Sequence, residues 1–307
     1  MVRQYKNFNI KKSDQGSIIL IGNFDGIHLG HQKLFKLAQS YKKKYKAKIG
    51  VINFDPLPKM FFNKYLQNFR ITSTSQKIKL LGSLNVDFVI TKKFDKNFSK
   101  MKSTNFVNDI LNKKLKSKFI FVSNNFRFGN KRQGDVQSLI ESEKKFHFKV
   151  IKPKPLIKYK KIVSSSLIRS LLEKGKLKQA NKLLNRNWTI NGIVQKGRQL
   201  GKKIGFPTCN IDIKNYVLAL PGVYAVKVLQ KNNSKYIKGI ANLGYRPTFN
   251  QKKILLEVHL FNFSGNLYNK LLSVEFLKFI REEKKFKNVN ELQAQIKKDL
   301  KVANKTR

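Results

Sequence analysis

Two rhythms of apolar residues divide this chain, and the change between them near residue 186 limits the fold more than any other feature. Before it, short apolar runs at 17–21, 48–54, 86–90, 119–122 and 148–151 alternate with stretches of helical spacing at 34–45, 75–84 and 104–111. Near-continuous apolar strands separated by helices predict a parallel sheet covered on both faces. After it, strand follows strand at 188–194, 223–229, 236–242, 255–261 and 271–279, with turn residues between them. Only 289–300, with Leu292, Ile296 and Leu300, reads as a helix. This second pattern predicts an antiparallel barrel or sandwich. Two domains are therefore expected, 1–186 and 187–307, joined without a Gly/Ser linker. A chain of 307 residues is long enough for both.

The first apolar run leads into Gly22-Asn23-Phe24-Asp25-Gly26-Ile27-His28-Leu29-Gly30-His31, and a helical pattern follows. Strand, glycine-rich turn and helix aim backbone N–H groups and a positive helix end at a phosphate. Two histidines at that turn add side-chain donors. In a parallel sheet such a turn lies beyond the carboxyl ends of the strands, where ligands bind. The dinucleotide fingerprint G-x-G-x-x-G is absent. Two later stretches also suit anions. The loop from Asn125 to Asp135 carries Arg127, Arg132 and two glycines, although a solvated turn with the Phe126/Phe128 pair tucked into a core fits its spacing equally. Ser164, Ser165 and Ser166 open a helix that carries Arg169 in its first turn, an arrangement that serves as N-cap and phosphate clamp alike.

In the second half, Gly197, Gly201 and Gly205 recur at every fourth position before Phe206-Pro207-Thr208-Cys209-Asn210. The spacing is not that of a Walker A loop. A backbone wrapped around phosphates and a plain glycine-rich hairpin both fit it. Thr208 and Asn210 supply the oxygen ligands magnesium accepts beside nucleotide phosphates. Glu257 shares a strand face with Leu255 and His259, which would point it into a barrel interior. There it could take a proton from a hydroxyl, or pair with a lysine.

Net charge is +48, from 65 basic and 17 acidic residues. The lysines are spread along the whole chain, which favours a compositional bias over a dedicated nucleic-acid surface, with non-specific polyanion affinity as its by-product. The single cysteine, Cys209, excludes an internal disulfide framework. Neither a secretory signal nor an apolar run of membrane-spanning length stands out, so a cytoplasmic protein without membrane attachment is expected. No obligate protein partner is evident.

Taken together the motifs resemble the bifunctional prokaryotic riboflavin kinase/FMN adenylyltransferase family, the FAD synthetases. In the first domain the resemblance rests on Gly22 to His31, Phe54-Asp55-Pro56, Asn125-Phe126-Arg127-Phe128-Gly129 and Ser164-Ser165-Ser166-x-Ile168-Arg169. In the second it rests on Gly205-Phe206-Pro207-Thr208-x-Asn210, Pro221-Gly222-Val223-Tyr224, Asn242 to Phe249 and Glu257-Val258-His259. It implies an α/β chain: a Rossmann-like nucleotidyltransferase domain with a parallel sheet, then an antiparallel riboflavin kinase-like barrel with a terminal helix. It implies ATP-dependent phosphorylation of riboflavin to FMN in the barrel, with Mg²⁺, and adenylylation of FMN by ATP to FAD in the first domain. On that match Gly22, Phe24, Asp25, Gly26, His28, His31, Ser164 and Arg169 bind ATP for adenylylation. Asn125, Arg127, Phe54 and Asp55 lie toward FMN. In the barrel Gly201, Gly205, Thr208 and Asn210 take ATP and magnesium, Glu257 is the base, and Arg246, Tyr268 and Arg281 take the flavin. Departures are Leu57, where the family commonly has His, and Asn185 and Asn269, where it commonly has Gly; Cys209 replaces a common Ala.

Overall fold

The computed structural model describes residues 2–197, 201, 204–213, 215–230, 235–248 and 251–306, leaving aside the side chains of 246–248 and 251–253. The chain forms two compact units. The first comprises Met1–Gln67 and Thr74–Ser164, the second Asn68–Ser73 and Ser165–Arg307.

Strands of the first unit are β1 (Arg3–Tyr5), β2 (Ile18–Ile21), β3 (Ile49–Asp55), β4 (Phe88–Lys93), β5 (Phe119–Phe121), the short pair β6 (Arg127–Phe128) and β7 (Gly134–Asp135), β8 (Lys149–Ile151), and the hairpin β9 (Ile157–Lys158) and β10 (Lys161–Ile162). Six of them make one parallel sheet in the order β1-β4-β3-β2-β5-β8. The inner strand β2 shows why the sheet must be covered twice. Its Ile19 and Ile21 pack into one core with Ile52, Phe106 and Ile110, and its Ile18 and Leu20 into the other with Leu34, Phe35 and Val51. Each such side chain contributes about 1.5–3 kcal/mol on burial. The strand order reverses at β2, so the loops following β2 and β5 flank a topological switch point.

The edge strand β1 is absent from the sequence reading because its residues are polar. Its anchor is electrostatic. The buried Asp14 carboxylate accepts from Arg3, from the Tyr5 hydroxyl at 2.6 Å and from Lys48 at 2.8 Å. Burial works against its charge, yet the hydrogen bonds from Arg3, Lys48 and Tyr5 outweigh burial and bring the carboxyl down to about 2.

The second unit contains β11 (Trp188–Gln195), β12 (Cys209–Asp212), β13 (Gly222–Gln230), β14 (Ile237–Thr248), β15 (Gln251–Leu260) and β16 (Leu271–Arg281), which close into a barrel in the order β11-β12-β15-β14-β13-β16. All its pairings are antiparallel. Of the two architectures open to the sequence, the barrel is the one formed. Trp188, Ile190, Ile211, Tyr224, Val226, Leu243, Leu256, Val258, Val274 and Phe276 are all fully buried and fill the barrel. The alternate residues Val223, Ala225 and Ile240 face outward against Ile296, Leu300 and Ala303 of the C-terminal helix, Val289–Asn304.

The expected boundary at 186 differs from the division of the units, which falls at Ser164/Ser165. The reason lies in the helix Leu177–Leu184. Its Asn181 amide donates to Phe276 O at 3.0 Å and accepts from the Trp188 N–H at 2.8 Å, which fastens the helix to β11 and β16. Residues 68–73 join the same unit: Phe69 and Arg70 N–H groups donate to Asn215 O, and Trp188 Nε1 donates to Ile71 O at 3.1 Å.

Replacing Asp14 by Asn should lower unfolding free energy by roughly 2 kcal/mol at neutral pH, measured by urea denaturation. A depressed carboxyl pKa contributes fully above its unfolded value and is lost as pH falls. The gap between the two proteins should therefore close between about pH 4 and pH 2.

Candidate active sites

The turn after β2 is built from unusual backbone. Phe24 (φ 45°), Gly26 (φ 85°) and Ile27 (φ 41°) are left-handed, and the Phe24 and Ile27 side chains are buried in the core that holds Ile18 and Leu20. Burial of two large side chains offsets the backbone cost of about 1–3 kcal/mol each. The result delivers His28 as N-cap of the helix Leu29–Tyr45. Its Nδ1 accepts from the His31 N–H at 3.4 Å, which leaves Nε2 as the ring's donor. The two imidazoles stack at 3.6 Å, with Phe24 edge-on to His31 at 5.2 Å. Desolvation holds the His31 pKa well below its ordinary value, and the neighbouring His28 and Lys77 add to the effect. His31 Nδ1 is buried without a hydrogen-bond partner among the described residues. A Cβ at Gly30 would lie 3.1 Å from Val163 O, so glycine there admits the segment that ends in Ser164 against the first turn of the helix.

Lys77 was missed by sequence reasoning. It is almost fully buried on the helix Thr74–Ser83, and its ammonium donates to Asn23 O at 2.7 Å, bracing the turn. The available signal was a lysine four residues before the buried Leu81, on the core face of that helix.

Other residues expected at this site separate into groups. Asn125 follows β5 at the switch point and accepts from the Ser123 hydroxyl at 2.9 Å. Arg127 pairs with Asp135 at 3.1 Å, while Phe128 is buried and stacked on Phe126. Phe54 packs against Phe94 and Phe98, and Asp55 accepts from Thr74 Oγ1 at 2.8 Å. Arg169 belongs to the second unit, in the helix Ser165–Glu173, with its guanidinium 3.8 Å over the Phe69 ring.

In the second unit Gly201, Thr208, Asn210, Glu257 and Arg281 line one cavity of about 350 Å³. β12 is the element that assembles it, in a stretch the sequence left open between a phosphate-wrapping backbone and a glycine-rich hairpin. In the register of the barrel Asn210 stands opposite Glu257, and Glu257 opposite Asn242. The three form a polar row on the outer wall. The expectation that Glu257 faces the barrel interior is therefore corrected: its neighbours Leu256 and Val258 point inward, and the packed interior has no place for a carboxylate.

The glycine spacing also acquires reasons. A Cβ at Gly197 would collide with the Asn210 amide, and one at Gly201 with Phe206 O, with Thr208 Oγ1 a further 3.3 Å contact. Gly205 is left-handed, at φ 83°. Asn210 Oδ1 is buried without a hydrogen-bond partner among the described residues. Arg281 is clasped by the buried Asp299, with Nε at 3.0 Å and Nη2 at 2.8 Å from Oδ2. Asn242, His259, Glu283 and Asp299 line the cavity as well and carried no assigned role in the sequence reading. Tyr268 is not among its lining residues, and the Arg246 side chain lies outside the described residues.

Comparison with known proteins also divides the chain in two, with the second match beginning close to the expected boundary at 186 rather than at Ser165. A family model described as FAD synthetase matches residues 10–167, and one described as riboflavin kinase matches 184–307. The bifunctional riboflavin kinase/FMN adenylyltransferase of Buchnera aphidicola subsp. Schizaphis graminum is 40% identical, covering 97% of this chain and 96% of the relative. Its namesake from Escherichia coli K12 is 35% identical, with 95% and 93% covered. A crystal structure titled as a macrolide-efflux protein from Streptococcus pneumoniae is 28% identical, with TM-score 0.87, and covers 100% of this chain and 99% of that chain. The efflux of that title has no counterpart in the two family models or these relatives. Among the described residues no helix is long and apolar enough to cross a membrane.

His31 should remain neutral throughout the physiological range. Its ring resonances in a proton NMR titration should show no midpoint between about pH 6 and 8. A His whose folded pKa is depressed stabilises the fold above its unfolded value of about 6.5 and loses that contribution as pH falls, so a midpoint near 6.5 would refute the assignment.

Proposed function

The chain belongs to the bifunctional riboflavin kinase/FMN adenylyltransferase family, and from that footing we propose which residues serve each of its two reactions. One reaction moves the γ-phosphoryl group of ATP to riboflavin, giving FMN and ADP. The other moves the adenylyl group of a second ATP to FMN, giving FAD and pyrophosphate.

The observation that carries the kinase assignment is the polar row Asn210–Glu257–Asn242 opening on a cavity with apolar walls at Val223, Ile240 and Ile296. A planar isoalloxazine suits such walls, and Arg281, fixed by Asp299, gives the cavity a rigid cationic side. Glu257 removes the proton of the ribityl 5′-hydroxyl as that oxygen attacks the γ-phosphorus and ADP leaves. Thr208 and Asn210 face the phosphates, and Gly201 and Gly205 let the backbone close around them. Magnesium fits this place, because the buried Asn210 Oδ1, without a partner among the described residues, and the Thr208 hydroxyl are the neutral oxygens it accepts beside phosphates. Bound there, it would offset charge on the phosphoryl oxygens. Arg246 and Tyr268 are assigned to the flavin on the family motif.

In the first unit an FMN phosphate oxygen attacks the α-phosphorus of ATP and pyrophosphate leaves. Charge builds on the phosphates, and this turn offers imidazole donors together with the N-terminal amides of Leu29–Tyr45. Gly22, Phe24, Asp25 and Gly26 shape the turn around His28 and His31. Ser164 adds a hydroxyl, and Arg169 is assigned to ATP on the family motif. Asn125, Phe54, Asp55 and Arg127, at or beyond the carboxyl ends of β5 and β3, frame the acceptor side. Consumption of ATP at both sites suits a cytoplasmic enzyme. The charge of +48 adds a salt-sensitive attraction for anions, polyanions included.

A Glu257→Gln protein should form FMN from riboflavin at least about 100-fold more slowly, yet convert supplied FMN to FAD at the normal rate, as read by chromatography of the flavins. His28→Ala/His31→Ala should do the reverse and accumulate FMN. FAD appearing at the wild-type rate would remove both histidines from the reaction.

A further inference from the structure

The ladder between β12 and β15 ends at Cys209↔Val258. One step further the same register would set Thr208 opposite His259, but among the described residues the ladder does not extend to that pair. The preceding residue, Pro207, has no N–H to give and offers only a carbonyl. That carbonyl is taken by a side chain: His259 Nδ1 lies 2.8 Å from Pro207 O. A carbonyl only accepts, so Nδ1 carries the proton. The imidazole is fixed in orientation by Phe206, edge-on at 5.8 Å, and by Phe261 at 6.1 Å. Thr208 is thus held from both sides, by the backbone ladder at Cys209 and by a side-chain clamp at Pro207.

We propose that His259 is a positioning residue of the kinase site, whose Nδ1–H donates to Pro207 O and so holds Thr208 and Asn210 in place against Glu257. The proposal rests on the assignment of Thr208 and Asn210 to the ATP phosphates made above. His259 lies on the same outer face as Glu257, two residues along β15, and lines the same cavity. One strand thus carries both the base and the clamp that fixes the phosphate-binding segment. Relative placement of these groups is what phosphoryl transfer depends on, and an error near 1 Å costs about 100-fold. Neutral and protonated imidazole both donate from Nδ1, so the clamp needs a donor at that position and no charge.

The test uses the full-length protein and three variants. Asn places an amide N–H near the position of Nδ1; Phe keeps the ring and loses the donor; Ala removes both. His259→Phe and His259→Ala should lower kcat for FMN formation about 10- to 100-fold and raise KM for ATP. KM for riboflavin should stay within about two-fold, and FAD formation from supplied FMN should be unchanged. His259→Asn should recover to within about three-fold of wild type. A second readout does not depend on activity. In ¹⁵N-histidine-labelled wild-type protein, which has four histidines, the ring signal lost in His259→Asn should show the Nδ1-protonated tautomer at neutral pH.

Wild-type rates in His259→Phe would overturn the proposal, as would a His259→Asn protein as slow as His259→Ala, or an Nε2–H tautomer in the spectrum. If the variants fail to fold, the tautomer of the wild-type ring still decides, its signal then assigned among the four histidines by nuclear Overhauser contacts to the Phe206 and Phe261 rings in uniformly labelled wild-type protein. Asn210→Ala separates this idea from its premise: wild-type FMN formation in that variant would refute the phosphate assignment itself.

Discussion

The site of the second unit follows from the alternation of side chains around a closed barrel. Ile211, Leu256 and Leu243 stand side by side across β12, β15 and β14, and closure leaves them no direction but inward. Asn210, Glu257 and Asn242 are their immediate neighbours in sequence and so are compelled outward. A six-stranded barrel is filled by its own side chains, which leaves its interior no room for a ligand. Chemistry is displaced to the outer wall, where the C-terminal helix supplies the opposite wall and Asp299 fixes Arg281.

The same alternation explains what could be read in advance. Apolar period separates the parallel sheet from the antiparallel barrel, and it placed β3, β11, β13 and β16 within a residue or two of their positions. The turn from Gly22 to His31 was legible because phosphate chemistry at a strand-to-helix junction needs glycine and donors together. Long-range pairing was less accessible. β12 has four residues and follows three glycines, so little local marks it as a strand; it pairs with the preceding β11, but the partner that carries Glu257 is more than forty residues away. With β12 unseen, the row that places Glu257 outside could not be drawn. β1 escaped because it is held by one buried carboxylate, and Lys77 because a fully buried ammonium runs against the rule that lysine lies at the surface.

Two of the departures from the family motifs turn out to be conservative in backbone terms. Asn185 and Asn269 stand where the resemblance led us to expect glycine, and both adopt left-handed backbone, at φ 57° and 61°. Asparagine is among the few side chains that tolerate this region, so the turns keep their shape at small cost. Asn85, Asn215 and Asn262 are left-handed as well. A lysine- and asparagine-rich composition can thus take over glycine positions where the backbone alone is at stake. It cannot do so at Gly197 and Gly201, where a side chain would strike Asn210 or Phe206. Leu57, in place of the usual histidine, is buried and joins the apolar interior.

The strip formed by residues 68–73 has a consequence for how the molecule is made. It offers Ile71 O to Trp188 and pairs with the chain at 215–217, yet it leaves the ribosome more than a hundred residues ahead of those partners. During synthesis it is made before the groups that satisfy its backbone in the folded chain. The second unit therefore cannot take up this strip until the chain has been made at least as far as residue 217.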